Sequence, residues 1–517
     1  MNNTNYRVIL ALILLLGAFL RIYGLGDESF WLDESYTAEY TKYTIPQIIK
    51  GIYVNSTLLP QYFGKGAGAM PFYYILANTW TKLFGLSELK LRLISALFGI
   101  LSIYLIFLVG KYLFNYPIGL ISAFIFAINH QQISFSQEAR MYSMLVALTL
   151  YSTFLLLNSL KTNKNIYWIT FAIISVMLLY THPLSFFILF FQGLFILIYW
   201  QNHKIFLKKM IYSGIAIFLS YLPWIPALFY QLSYGPPGGR VLGDPTLGKI
   251  FLILIQFNSW ISPDINTAIA LKTRNLALLS FSGWLLIISV LVIALLLGFA
   301  FLYSLIYSNK DKKFNLDSLK NYKIILLLIW FLIPIFIPFI ISVIFPEYDI
   351  FSTIRYVLFA SPAYYLIASL GIFKMNNWKS LFLIFLAVFS IMPLYSYYEN
   401  FDNQQFREAV AFIVSSRSPN EFIFIHKSNI ILPFSYYHSN LTNVFSVKDV
   451  DELKSYLNGK PQFWLLMSME KFSDPNGTIM DYLDKNYIQI DKIEFVDIKV
   501  FKFTKVDNDF NNNKSIQ

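Results

Sequence analysis

The stretch VILALILLLGAFLRIY at Val8–Tyr23 is followed directly by GLGDESFWLDESY at Gly24–Tyr36. The first part is an apolar run that predicts a membrane-spanning helix, with Arg21 near its end. The second part carries two adjacent carboxylates, Asp33 and Glu34, at the membrane face. Ionised groups are costly near hydrocarbon, so membrane proteins tend to keep them for ion, proton or substrate chemistry. The alternative interpretation is a solvated loop with scattered acids.

The composition is that of a polytopic membrane protein. Hydrophobic residues make up 56% of the 517 residues and charged residues only 13%, whereas soluble domains carry about 25% charged residues. We predict about 11 spans. They are the apolar runs at 8–23, 91–113, 117–134, 141–158, 166–181, 184–201, 210–230, 278–307, 323–345, 356–373 and 380–397. The stretch 71–86 is short and carries Lys82, which favours a helix lying at the interface.

The net charge of +11 does not indicate a nucleic-acid partner. Residues 401–517 hold 13 Lys or Arg and 15 Asp or Glu, so the positive charge lies in the first 400 residues, mostly in short loops. That distribution sets membrane topology and favours contact with anionic membrane lipids. The sequence has no cysteine, which excludes disulfides, thiol catalysis and Cys-based metal sites.

Lysines alternate between the predicted loops and indicate the orientation. They are Lys111, Lys161, Lys164, Lys204, Lys208, Lys209, Lys310, Lys312, Lys313, Lys320, Lys323, Lys374 and Lys379. The positive-inside rule makes their side cytoplasmic, together with the N-terminus. The loops 24–90 and 231–277 and everything after residue 398 are then extracytoplasmic, in the cell envelope.

The tail differs from the transmembrane domain predicted over 1–397. It alternates β-rich runs (421–426, 462–467, 493–504) with amphipathic stretches (405–415, 447–457, 478–486). The pattern predicts a small extracytoplasmic α/β domain over 398–505. Residues 506–517 are polar and predicted to be disordered.

Four separate segments bring unusual polar residues to the predicted outer face. They are Asp33 and Glu34, then Glu138, Arg140 and Tyr142, then His182, and finally Arg355 and Tyr356. Each has a structural alternative: an arginine at a span end can be a snorkelling anchor, a histidine before proline a packing residue, and Glu138 with Arg140 a surface ion pair. Their convergence on one face favours a site.

The ordered set resembles a family of membrane glycosyltransferases. Its members are Arg21, Gly24-Leu25-Gly26, Trp31-Leu32-Asp33-Glu34-Ser35, Pro71-Phe72-Tyr73-Tyr74, Arg92, Ser136-Gln137-Glu138-Ala139-Arg140-Met141-Tyr142, Tyr180-Thr181-His182 and Arg355-Tyr356. Over about 1–375 this order is similar to that of the dolichyl-phosphate-mannose–protein mannosyltransferases and their prokaryotic relatives, including the lipid A aminoarabinose transferase. Relatives often have a polar residue and two prolines before the Tyr-Tyr pair, where this chain has Gly66-Ala67-Gly68-Ala69-Met70-Pro71. That departure leaves the acceptor open.

The resemblance implies a mainly α, GT-C-like fold and an inverting hexosyltransferase. The donor would be a sugar on a polyprenyl or dolichyl phosphate, and the acceptor a hydroxyl of a protein, lipid or glycan. Asp33 would be the general base, and Glu34 would orient the loop or the neighbouring Arg140. Glu138, Arg140, Tyr142, His182, Arg355 and Tyr356 would bind substrate, with Arg355 on the phosphate and Lys65 and Arg240 as weaker candidates. A divalent metal at Asp33, Glu138 and His182 is left open.

Two other functions compete with this one. A lipid-linked glycan ligase or polymerase would usually carry its key residues in one large late outer loop, whereas here the acids are in the first. A polar-lipid transporter or flippase predicts charges at mid-membrane depth, whereas here they collect at one face.

Overall fold

The structure is a computed structural model that describes residues 3–54, 70–198, 206–233, 245–258, 279–306, 321–345, 350–351, 353–400, 403–457 and 460–505. Two predicted site residues, Lys65 and Arg240, lie outside these ranges, as do Lys204, the lysines of 310–320 and the predicted disordered tail 506–517. The described chain forms two compact units. The first comprises 3–25, 43–54 and the described part of 70–400, and the second comprises 26–42 and 403–505.

The described residues up to 399 are mostly helical. Its α-helices are α1 (Asn3–Ile22), α2 (Leu32–Tyr40), α3 (Ile45–Val54), α4 (Pro71–Phe84), α5 (Glu88–Leu113), α6 (Tyr116–Ile128), α7 (His130–Ser136), α8 (Tyr142–Thr162), α9 (Asn165–Leu179), α10 (Ser185–Ile198), α11 (Leu207–Tyr221), α12 (Ile225–Ser233), α13 (Leu247–Asn258), α14 (Phe281–Ile306), α15 (Tyr322–Ile344), α16 (Ser361–Lys374) and α17 (Lys379–Glu399). All but α2 belong to the first unit.

Within the described residues, 7 helices are long and apolar enough to cross a membrane. They are α1, α5, α8, α11 continued by α12, α14, α15 and α17. The bent pair α6 and α7 would make an eighth, and α9, α10, α13 and α16 are shorter apolar helices. The protein is therefore multi-pass, as predicted, but the predicted count of about eleven spans is not confirmed.

The predicted span 117–134 is broken in the middle. Helices α6 and α7 meet at 63°, with Asn129 between them. The Asn129 side-chain oxygen accepts the Gln132 N–H at 3.1 Å, and its amide donates to the carbonyls of Phe257 and Asn258 at 3.0 and 2.9 Å. One asparagine thus caps α7 and satisfies carbonyls at the end of α13, which stabilises the break.

Glycines allow two helix pairs of the first unit to pack closely. A Cβ on Gly371 of α16 would lie 1.8 Å from the carbonyl oxygen of Ala300 of α14. A Cβ on Gly119 of α6 would lie 2.7 Å from the carbonyl oxygen of Phe107 of α5. Small residues at such crossings let two helix backbones approach closely. This close packing stabilises helix pairs in lipid, where the hydrophobic effect does not drive helices together.

The second unit is built on a five-stranded sheet. Its strands are β1 (Phe422–His426), β2 (Val444–Val447), β3 (Gln462–Ser468), β4 (Tyr487–Phe495) and β5 (Ile498–Lys505), in the order β2-β1-β3-β5-β4. β1 is parallel to β2 and β3, and β5 is antiparallel to β3 and β4. Its helices besides α2 are α18 (Phe406–Ser416), α19 (Ile431–Tyr437), α20 (Val450–Leu457), α21 (Glu470–Ser473) and α22 (Thr478–Asn486).

Both faces of the central strands β1 and β3 are buried, whereas the edge strand β4 is mostly exposed. Alternate residues point to opposite faces of a strand, so Ile423 joins one core with Trp464, while Phe424 joins the other with Phe463. The predicted α/β domain is confirmed in class, with one strand assignment wrong. The predicted run 493–504 is a hairpin, since Asp497 takes a φ of 53° and turns β4 into β5.

Candidate functional site

Arg140 is held between the start of α4 and helix α5. Its Nη1 donates to the Tyr74 hydroxyl at 3.0 Å, and its backbone carbonyl accepts the Ser95 hydroxyl at 2.9 Å. Because the Ser95 hydroxyl donates to that carbonyl, the Tyr73 hydroxyl 2.9 Å away donates to Ser95. Two neighbouring tyrosines therefore position both the guanidinium and the main chain of Arg140.

His182 is a buried, neutral hydrogen-bond donor on the turn between α9 and α10. Only 5% of the residue is exposed, and its Nδ1 accepts the N–H of Leu184 at 3.2 Å. The proton of the neutral ring therefore sits on Nε2. Burial lowers the pKa of His182 to about 3, and the positive charge of Arg140 adds to this effect. The imidazole is thus uncharged near pH 7.

Tyr142 links these residues to the segment that begins the predicted tenth span. Its ring centroid lies 6.1 Å from that of His182, and the guanidinium carbon of Arg355 lies 5.8 Å from it. The ring of Tyr356 lies 6.2 Å from that of His182. The structure therefore brings Arg140, Tyr142, His182, Arg355 and Tyr356 together.

Glu138 belongs to the same stretch of chain. It is partly buried, and its backbone carbonyl accepts the Arg140 N–H at 2.7 Å. Its charge acts on the hydroxyl of Tyr142, as do the charges of Arg140 and Arg355. Glu138 thus lies at the edge of the cationic cluster.

Sequence reasoning missed some residues that support this cluster. Ser95 carried no signal by itself. Gln137 was quoted in the resemblance but not assigned, and its amide donates to the Tyr23 carbonyl at 2.7 Å and accepts the Tyr397 hydroxyl at 2.8 Å. The N–H of Phe72 donates to the Tyr180 carbonyl at 2.9 Å, which fastens α4 to the His182 turn.

The acidic pair lies in the first turn of α2, in the second unit. Glu34 is fully buried and Asp33 is partly buried. Trp31 stands at the N-cap and makes no side-chain cap hydrogen bond. The side-chain oxygen of Gln404 accepts the Leu32 N–H instead, at 3.2 Å. The acids therefore sit on a helix, and the alternative of a solvated loop with scattered acids is wrong for them.

The predicted residues are accordingly divided between the units. Glu138, Arg140, Tyr142, His182, Arg355 and Tyr356 belong to the first, and Asp33 and Glu34 belong to the second. The sequence had assigned Asp33 and Glu34 to the transmembrane domain.

The sequence left open a divalent metal at Asp33, Glu138 and His182. Within the described ranges, no group of three or more His, Cys, Asp or Glu side chains could hold a metal ion. Asp33 belongs to the second unit and Glu138 and His182 belong to the first, so this carboxylate–imidazole set stays a hypothesis.

The cluster in the first unit has the chemistry to bind an anion. Two guanidiniums lie around one buried tyrosine, and guanidinium forks match the geometry of phosphate oxygens. The neutral imidazole of His182, with its proton on Nε2, adds a hydrogen-bond donor without adding a third positive charge. Because Arg140 and Arg355 are partly buried, their electrostatic effect exceeds what it would be in water.

Part of the chain matches a known protein family. Residues 68–227, which include Glu138, Arg140, Tyr142 and His182, match the family described as Dolichyl-phosphate-mannose-protein mannosyltransferase. No curated protein matches the chain.

Solved structures share the fold. The Archaeoglobus fulgidus oligosaccharyltransferase in complex with Zn and sulfate matches with a TM-score of 0.55 at 12% identity, covering 96% of this chain and 73% of that one. ArnT from Cupriavidus metallidurans bound to undecaprenyl phosphate matches with a TM-score of 0.54 at 11% identity, covering 97% and 98%. The GT-C-like fold is thereby confirmed. Together with the family match over residues 68–227, the resemblance and the glycosyltransferase class are confirmed as well.

Proposed function

We propose that this membrane glycosyltransferase of the GT-C fold moves a hexose from a polyprenyl-phosphate donor to a hydroxyl acceptor at the extracytoplasmic face. The observation that carries the proposal is the pair Arg140 and Arg355 around Tyr142 and His182. A lipid-phosphate sugar needs cations where its phosphate sits, and this cluster supplies two of them in a chain that spans the membrane.

Stabilising the leaving phosphate is the first task of the site. When the bond between the sugar and the phosphate breaks, negative charge grows on the phosphate oxygens. Positively charged groups that are already in position lower the energy of that transition state. Arg355 is the primary phosphate ligand in this proposal, and Arg140, held by Tyr74, is the second.

Activating the acceptor is the second task. The acceptor hydroxyl attacks the anomeric carbon and must lose its proton as it does so. Asp33 takes that proton as general base, and the buried Glu34 orients the first turn of α2. A single displacement inverts the anomeric configuration, because the hydroxyl attacks from the face opposite the phosphate.

His182 contributes a hydrogen bond in place of a charge. Its Nε2–H donates to a sugar hydroxyl or to a phosphate oxygen, and the depressed pKa keeps the ring from becoming a third cation. Tyr142 and Tyr356 supply aromatic faces beside it. Such faces pack against the apolar side of a sugar ring.

The loop lysines support the orientation. Several lysines lie at one set of helix ends, and Tyr142 and His182 lie at the opposite set as the chain runs back and forth. These lysines are Lys111, Lys161, Lys323 and Lys374. By the positive-inside rule the lysine side is cytoplasmic, which leaves the candidate site on the extracytoplasmic side.

The test is a transfer assay with three labelled donors. Membranes containing the protein receive a polyprenyl-phosphate hexose, a polyprenyl-linked oligosaccharide or a nucleotide hexose. The proposal predicts transfer from the first alone, with inversion of the anomeric configuration in the product. Transfer from the oligosaccharide alone would instead identify a glycan ligase, and retention of configuration would exclude the single displacement.

A further inference from the structure

Helix α2 lacks the cap that its own sequence would normally provide. The first four N–H groups of a helix have no partner inside it, and Ser, Thr, Asp or Asn at the N-cap usually accepts one of them. Here Trp31 occupies the N-cap and makes no side-chain cap hydrogen bond. The two acids of the proposed catalytic machinery follow two and three residues later.

Gln404 makes a cap from a distant part of the chain. Its side-chain oxygen accepts the Leu32 N–H at 3.2 Å, and its backbone carbonyl accepts the Ser29 hydroxyl at 2.7 Å. Its amide donates to the Ser468 hydroxyl at 2.7 Å, at the end of β3. Gln404 is only 6% exposed, so solvent cannot easily replace these bonds.

The segment before α2 is fastened to the same unit at further points. The Phe30 N–H donates to the Tyr437 hydroxyl at 2.7 Å, and the buried Phe30 ring packs 5.0 Å from that of Tyr436. The Arg407 guanidinium donates to the Asp27 carbonyl. The whole approach to the acidic pair is therefore held by the C-terminal α/β fold.

We propose that Gln404 is a positioning residue for the transfer reaction. By capping α2 one residue before Asp33, it sets the direction of the first helical turn and thus of the Asp33 carboxylate. The inference rests on the proposed role of Asp33 as general base. It gives the C-terminal domain a part in catalysis, beyond recognising an acceptor.

The chain offers a closely matched control in the next residue. The side-chain oxygen of Gln405 accepts the Val496 N–H at 3.0 Å, a bond of the same kind that holds the β4–β5 hairpin instead of α2. Gln404→Leu deletes the side-chain bonds to Leu32 and Ser468, and Gln405→Leu deletes the side-chain bond to Val496 in the same domain. Only the first removes the cap of α2.

Two readouts separate positioning from general destabilisation. The hydrogen-exchange rates of the backbone amides of 32–36 show whether the first turn of α2 is still capped. The values of kcat and KM for the acceptor show whether the reaction itself or substrate binding has changed. Gln404→Leu is expected to speed the exchange and lower kcat about 10- to 100-fold with little change in KM, as small misplacements of catalytic groups do. Gln405→Leu is expected to change neither quantity.

A conservative variant should rescue the effect. Gln404→Glu keeps an oxygen for the Leu32 N–H and can accept the Ser468 hydroxyl, so we expect it to retain more kcat than Gln404→Leu. If Gln404→Leu fails to fold, Ser468→Ala loosens the same side chain and should lower kcat in the same direction. Equal kcat for Ser468→Ala and wild type would then contradict the inference.

The outcomes distinguish this inference from the proposed function. If hydrogen exchange at 32–36 is unchanged in Gln404→Leu, Gln404 is not the cap of α2. Faster exchange with unchanged kcat overturns the positioning role while the function stands. Full activity of Asp33→Asn, whatever the exchange shows, overturns the assignment of the base on which the inference rests.

Discussion

The Nη1 atom of Arg140 donates a hydrogen bond of 3.0 Å to the hydroxyl of Tyr74. This bond joins the first turn of α4 to the loop that precedes α8. The bond fixes the Arg140 guanidinium before a phosphate binds. Less side-chain conformational entropy is therefore lost on binding. The tyrosine is therefore part of the proposed anion site although it need not touch the substrate.

Tyr74→Phe should weaken transfer without unfolding the protein. The substitution removes the hydroxyl that orients Arg140 and keeps the buried ring. We expect the rate to fall about 10- to 150-fold, since a hydrogen bond to a charged group is worth roughly 1.5–3 kcal/mol. Tyr104→Phe, at an exposed tyrosine of α5, is the control. Equal rates for the two variants would exclude a positioning role for Tyr74.

Arg355→Lys tests whether the fork of the guanidinium matters or only its charge. Lysine keeps the charge but cannot make two parallel hydrogen bonds to a phosphate. We expect binding of polyprenyl phosphate, measured by displacement of labelled lipid, to weaken about tenfold, roughly 1.4 kcal/mol. Arg7→Lys, at an exposed position of α1, should leave binding unchanged. Wild-type affinity in Arg355→Lys would remove Arg355 from the phosphate site.

The lowered pKa of His182 predicts that the protein loses stability in acid. Its folded-state pKa of about 3 lies below the usual 6.5, so between these values the unfolded state binds a proton that the folded state does not. Stability due to this group is complete above pH 6.5 and falls as the pH is lowered below it.

Thermal unfolding at pH 7.5 and pH 5 measures this effect. His182→Gln keeps a donor but cannot be protonated, so its unfolding midpoint should fall less on acidification than that of the wild type. An identical fall in both proteins would contradict a neutral, buried His182.

Gly371 predicts a packing defect on substitution. In Gly371→Ala the new Cβ would meet the Ala300 carbonyl oxygen at 1.8 Å, so α14 and α16 must separate. We expect a loss of stability of about 1–3 kcal/mol, as for other overpacked sites. Gly298→Ala, on α14 with nothing within 4 Å of the added Cβ, should be neutral or slightly stabilising. Thermal unfolding in detergent distinguishes the two.

The helices and most of the site were predictable because their signals are local. Long apolar runs can only be helices in a membrane, and the topology predicted from the loop lysines placed Arg140, His182 and Arg355 on one side. The break at Asn129 had a signal as well, since Asn129-His130-Gln131-Gln132 is a polar run inside a predicted span. The stretch 117–134 is apolar on average, so this polar run did not interrupt the predicted span.

The association of α2 with the C-terminal fold had no local signal. The bond between Leu32 and Gln404 joins residues 372 positions apart in sequence, and a single sequence contains no pairing information at that range. The hairpin at Asp497 was missed for a related reason. Its turn has no glycine, so β4 and β5 read as one continuous β-rich run.

The central claim, that Asp33 is the general base, is tested most directly by hexose transfer from a labelled polyprenyl-phosphate hexose. Asp33→Asn is compared with wild type and with Asp481→Asn, the same substitution in the first turn of helix α22, at equal protein levels. The account predicts a rate about 10²- to 10⁴-fold lower for Asp33→Asn and an unchanged rate for Asp481→Asn. Equal transfer by Asp33→Asn and wild type would contradict it.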